Sequence, residues 1–292
     1  MKINANEQVV GEYYDAIWSE FARWWCAEET LGLHYALYEK GITSFKEAVY
    51  NMNDFIGKLL QLSKKKNLRI LDAGCGVGGT SIYLAKKYPA LEFVGITVTP
   101  GQLQLAQTFA QERKCRNVQF FLRSYVDTGF PDNSFDGIYA LESACYATNM
   151  DAFIDEMQRI LKPGGVLVVV DGFRTDRPLN PIIQLLYDDV NKGRGNLRPP
   201  SVTRFKQRLD KRGFKDIKVD DITKNVSRSQ LRSFLIGIPF FLFTMTKRVV
   251  KYKTYDWTRD RYYYLGASVL AALVGLSGIT AYYAVKSVNK EE

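Results

Sequence analysis

A chain of 292 residues with 46% apolar composition can hold one large domain and an appendage. Its four cysteines (Cys26, Cys75, Cys115, Cys145) show no C-x-x-C pair or even spacing, which argues against zinc and a disulfide framework and fits a reducing compartment. The single histidine, His34, excludes a multi-histidine metal site. The net charge of +9 suits nucleic acid or an anionic membrane, and its distribution decides between them.

Residues Met1 to Glu7 are polar and lack the apolar core of a signal peptide. An aromatic-dense stretch follows, with Tyr13-Tyr14-Asp15, Trp18, Phe21, Trp24-Trp25 and Leu31 to Tyr35 at partly helical spacing. It reads as a helical cap whose rings fill a core, or as a lid over a ligand. Ser44 to Leu62 is an amphipathic helix, and Lys64 to Lys66 after it suit the negative end of its dipole.

From Leu68 the pattern alternates as an α/β domain does. Strands are expected at 68–73, 91–96, 118–122, 135–141 and 165–171, and helices at 79–87, 100–113 and 150–161. The organising stretch is Ile70 to Thr80: an apolar strand, Asp72, then Gly74, Gly76 and Gly78 at alternate positions before a helix. Such a turn lets a ligand approach the backbone at a helix N-terminus, and Asp72 can take the charged amino group of an amino-acid-like ligand. The second strand ends in Ile96-Thr97 with no carboxylate, which argues against a plain NAD site. Glu142 follows the fourth strand and projects into the crevice, where a carboxylate is costly unless paired. Lys162 to Gly165 is a structural turn, 178–200 an insert on the substrate wall, 203–211 a basic solvated helix and 214–222 a sixth strand.

Three ordered segments carry a resemblance: Ile70 to Thr80, Phe130 to Asp136 and Leu161 to Leu167 resemble the motifs of class I S-adenosylmethionine (SAM)-dependent methyltransferases. Ala140 to Ala147 is similar to the segment after strand four of sterol C24-methyltransferases. Gly95 to Pro100 resembles the tocopherol methyltransferase and cyclopropane synthase branch. The resemblance implies a Rossmann-like α/β sheet with helices on both faces, and SAM as cofactor. It places SAM against Asp72, Gly74, Cys75, Gly76, Gly78, Thr97, Gln102, Ser124, Tyr125 and Leu141. It puts Glu142, Tyr14, His34 and Tyr146 at the reacting end. Two departures stand out: Ser124 where relatives usually have Asp, and Tyr146 where they often have His.

The last third changes character. Phe234 to Met245 is apolar, a basic run from Lys247 to Arg261 follows, and Leu265 to Val285 holds no charged residue. As a helix those 21 residues would span about 31 Å, enough for a bilayer core. Tyr262 to Tyr264 and Tyr282-Tyr283 resemble interfacial belts, and Gly266, Ala267, Ala271, Gly275 and Gly278 suit packing against another helix, as in a homo-oligomer. The sequence thus predicts a cap at 1–66, a methyltransferase domain at 67–225 with an insert at 173–212, a membrane-surface segment at 226–261 and a transmembrane helix at 262–286. The positive residues before that helix predict a C-terminal anchor with the catalytic domain facing the cytoplasm, and account for the charge without nucleic acid.

Methyl transfer asks the protein to align donor and acceptor and exclude water, so no triad or metal cluster is expected. Walls such as Tyr14, Trp24, Trp25 and Tyr146 would favour developing positive charge, and Glu142 would take or position a proton. The expected activity is C-methylation of a sterol-like or isoprenoid membrane lipid. The alternatives are a prenylated quinone or tocopherol-like ring, a fatty-acyl chain as in cyclopropane formation, and a non-catalytic SAM-binding membrane adaptor.

Overall fold

The computed structural model describes residues 5–25, 27–64, 66–193, 199–250 and 261–290, with backbone alone at Asn6, 192–193, 247–250 and 261–265. The N-terminal cap comprises α1 (Ala5–Trp24), α2 (Ala27–Thr30) and α3 (Phe45–Leu59). Ser44 starts α3 with a reciprocal cap: its hydroxyl accepts from Glu47 N at 3.1 Å, and the Glu47 carboxylate accepts from Ser44 N at 3.4 Å.

After the cap come β1 (Arg69–Ala73), α4 (Gly79–Lys87), β2 (Glu92–Thr97), α5 (Pro100–Glu112), β3 (Val118–Leu122), β4 (Phe135–Leu141), α6 (Met150–Ile160) and β5 (Leu161–Arg174). The expected strands and helices of this core are all present, within a few residues at their ends. The turn at 162–165 is a break in the β4–β5 pairing, which passes from Phe135↔Leu161 to Gly137↔Val166. The chain continues through α7 (Pro181–Gly193), α8 (Val202–Lys211), β6 (Lys215–Asp221), α9 (Thr223–Val250), α10 (Arg261–Leu276) and β7 (Thr280–Val288).

The seven strands lie in the order β3-β2-β1-β4-β5-β7-β6. β1 to β5 pair in parallel, and β7 runs antiparallel between β5 and β6. Alternate strand residues feed two cores. Ile70, Phe93, Tyr139 and Val168 pack with Met52, Ile56 and Leu84 on one face. Leu71, Val94, Ile138 and Val169 pack with Phe153, Met157 and Phe205 on the other. Strand order reverses between β1 and β4, so the crevice for a ligand opens at the carboxyl ends of these two strands.

The membrane-spanning helix expected over 262–286 is not formed. The helix stops at Leu276, Gly278 turns the chain with φ at 72°, and Thr280–Val288 becomes the strand that joins β5 to β6. No described helix is long and apolar enough to cross a membrane. A strand covered on both faces reads as an uninterrupted apolar run, which is why composition alone mistook it for a span. Tyr282 and Tyr283 are therefore strand residues, while the Tyr262, Tyr263 and Tyr264 side chains lie outside the described residues. Gly266 of α10 packs within the chain, since a Cβ there would stand 2.9 Å from the Phe241 backbone of α9, while a Cβ at Gly275 would meet nothing within 4 Å. The segment expected to lie on a membrane, 226–261, is mostly the long helix α9, and 251–260 lies outside the described residues.

Candidate active site

The crevice is built from the turn after β1. Gly74 adopts φ of 110°, and its N–H and that of Cys75 both reach the Ile96 carbonyl, at 3.1 and 2.9 Å. A Cβ at Gly74 would meet the Ser143 side chain at 2.4 Å, so only glycine brings β1 and the β4 loop this close. Asp72 lines the crevice and is buried; its Oδ2 accepts from Ser81 Oγ and Tyr139 OH, each at 2.7 Å. Burial raises its pKa from 3.8 to about 6, against the lowering effect of those two hydrogen bonds. A cationic ligand end beside it restores the charge that burial opposes.

At the end of β2, Thr97 Oγ1 donates to Gln102 Oε1 at 3.0 Å and accepts from Thr99 N at 3.2 Å. Both residues line the crevice. Gly76, Cys75, Tyr125 and Leu141 line it too. Gly78 does not. It takes φ of 83° at the start of α4, and a Cβ there would strike the Phe120 ring at 2.6 Å, so its role is packing. Ser124 also stays outside, because its hydroxyl donates to the carboxylate of Glu7. Glu7 itself lines the crevice, as do Arg123 and Thr99.

Helix α1 roofs this space. Glu7, Val10 and Tyr14, at helical spacing, face the crevice, and Tyr13, Tyr14 and Phe21 face a second cavity of about 480 Å³. Tyr14, Leu33, Glu142 and Tyr146 line both spaces and so mark the junction between them. Tyr14 and Tyr146 join their hydroxyls at 3.1 Å and meet edge to face at 5.8 Å, and burial holds both phenols well above their usual pKa. Glu142 takes φ of 51°, uncommon for a side chain of this kind, with its N–H on the Val170 carbonyl at 2.8 Å. Its Oε1 accepts from Tyr35 N at 2.5 Å, which fixes the carboxylate at the junction.

His34 lines the crevice but works as a strut. Burial lowers its pKa, Nδ1 donates to the Tyr35 carbonyl at 3.0 Å, and Nε2 lies 3.1 Å from Asn53 Oδ1, which also accepts from Thr80 Oγ1 at 2.8 Å. Trp24 and Trp25, expected as walls, line neither of these two spaces but a smaller third one that also reaches Leu33, Tyr35 and Glu142, and their indoles donate to Glu20 and to the His34 carbonyl.

Three groups of the second cavity were not foreseen. Tyr282 of β7 is 3% exposed and lines the cavity, with the Glu142 carboxylate near its hydroxyl. Burial and then the nearby Glu142 charge raise its pKa well above the ordinary value. Asp171 accepts from Cys145 N at 3.0 Å, and Tyr35 meets Tyr282 edge to face at 5.8 Å. Glu7 was legible in principle, seven residues before Tyr14 on the same helical face. Tyr282 was hidden by the reading of its strand as a span.

Residues 71–169 match the family model of a methyltransferase domain. An O-methyltransferase of Aspergillus nomiae is 32% identical over 164 residues, 56% of this chain and 71% of that protein. The sterol 24-C-methyltransferase of Kluyveromyces lactis is 26% identical over 216 residues, 73% of this chain and 56% of that protein, so the match spans about half of the sterol enzyme. Among solved structures, the [4+2]-cyclase SpnF superposes with a TM-score of 0.73 at 20% identity, covering 97% of this chain and 96% of that one. A geranyl diphosphate C-methyltransferase from Streptomyces coelicolor does so with 0.69 at 15%, covering 98% of each chain. The fold and the glycine-turn crevice define a class I SAM-dependent methyltransferase. The chain belongs to that family, and its cofactor is SAM.

Proposed function

We propose that the protein methylates carbon on an uncharged sterol-like or isoprenoid lipid. The observation that carries this reading is the 480 Å³ cavity meeting the cofactor crevice at Glu142. Cavities of this size hold a drug-sized apolar molecule. Among the described residues lining it there is no lysine or arginine, while Glu142 and Asp171 bring two carboxylates. A diphosphate without a divalent cation would be repelled there.

SAM supplies the electrophilic methyl group. The protein holds the acceptor carbon at the junction, shuts out water with α1, and sets the Tyr14 and Tyr146 rings beside developing positive charge. Glu142, held by Tyr35 N, accepts the proton lost from the carbon next to the new bond. The test is incubation with methyl-labelled SAM and three acceptors: a sterol with a side-chain double bond, a prenylated quinone precursor and an isoprenoid diphosphate. The expected result is label on a carbon of the sterol. Label confined to the diphosphate would overturn the reading. Label on oxygen would favour the second reading, an O-methyltransferase, which the Aspergillus nomiae relative supports.

A further inference from the structure

The helices that wall the acceptor cavity expose apolar side chains where surface helices ordinarily carry polar ones. On α9, Leu231, Leu235 and Leu242 follow one face at helical spacing and are 56, 57 and 58% exposed. On α10, Leu273 and Leu276 are exposed, the latter 86%. On α7, whose inner face contributes Tyr187 and Val190 to the cavity, Ile182 and Leu185 are 70 and 71% exposed. No charged residue occurs from Ser233 to Thr246 or from Gly266 to Val285. A monomer rarely leaves so much contiguous apolar surface to water.

Two observations select the occupant. Leu231, Leu273 and Leu276 both line the cavity and stand exposed, so the acceptor site opens through this face. The uncharged stretches end in cations, Lys247 and Arg248 after one and Arg261 before the other, on a chain of net charge +9. Apolar insertion flanked by positive charge is the pattern of a protein that lies on an anionic leaflet. We propose that the outer face of α7, α9 and α10 docks on a lipid bilayer, and that the acceptor passes from the bilayer through the leucine-rimmed mouth into the cavity. The passage of acceptor rests on the function proposed above; the docking does not.

The test is flotation of the full chain with phosphatidylcholine vesicles, with and without phosphatidylserine. A variant carrying Leu185→Glu, Leu235→Glu and Leu242→Glu, none of which lines the cavity, is run beside it. The wild-type protein floats with the vesicles, more so with phosphatidylserine. In the variant, partition falls at least about tenfold while SAM affinity, measured by calorimetry, is unchanged and shows the fold intact. Wild-type protein left in the aqueous fraction, or a variant that floats equally well, overturns the proposal. So does a dimer in sedimentation velocity that the variant abolishes without any vesicle binding, because a second copy would then cover the face. Methyl transfer to acceptor in detergent is assayed separately: its failure beside intact flotation removes the acceptor assignment and leaves the docking face standing.

Discussion

Asp72 shows how one buried carboxyl can favour function over stability. Its folded pKa of about 6 lies above the unfolded 3.8, so ionising it costs folded stability as pH rises through that window, and the cost persists above it. SAM brings an ammonium group that favours the ionised form. Calorimetric affinity for SAM should therefore fall about tenfold per pH unit below pH ~6 and level off above. Asp72→Asn should flatten that profile and weaken binding. An unchanged pH profile in the variant would remove Asp72 from the cofactor site. Glu7 makes a second case. The chain has Ser124 where relatives usually carry an acid, and Ser124 instead holds a carboxylate arriving from α1 at the crevice. Glu7→Ala should weaken SAM binding about tenfold or more, the scale of a hydrogen bond to a charged group. Equal affinity would make the pair a strut for α1 alone. At the junction, Glu142→Gln should lower turnover about a hundredfold with SAM affinity almost unchanged. A matching loss of affinity would assign Glu142 to binding.

The elements of the core were legible because their signals are local. Ser44 and Glu47 announce α3, the apolar run Ile70-Leu71 before Asp72 announces β1, and the glycines announce the turn. Gly78 illustrates a limit: the motif marks it as a ligand contact, but its neighbour is Phe120 from β3, a contact no local pattern contains. Gly78→Ala should destabilise by about 1–2 kcal/mol from the left-handed conformer alone, and more from the ring clash, as a lowered thermal midpoint. β7 illustrates the opposite failure. Its residues pair with Val166 to Arg174 on one side and with β6 on the other, and both partners are distant in sequence. The site was read in the same proportion. Residues named from the sequence at the ends of β1, β2 and β4 line the crevice, while Glu7 and Tyr282, delivered by the lid and the last strand, needed the tertiary fold.

At the scale of the molecule, the sheet is not complete at residue 225, where the sequence pattern places the end of the domain. β7 bonds β5 to β6, so deleting 262–292 should not free a soluble enzyme. It should leave two open strand edges, loss of a cooperative thermal transition, and aggregation. A truncated chain that stays soluble and binds SAM would contradict this topology. The position of β7 in chain order also bears on biosynthesis. While the polypeptide is still leaving the ribosome, the edges of β5 and β6 wait for a partner that emerges after the whole α9–α10 hairpin. Through that interval the nascent chain exposes both an unfinished sheet and two apolar helices, a period in which a chaperone should hold it.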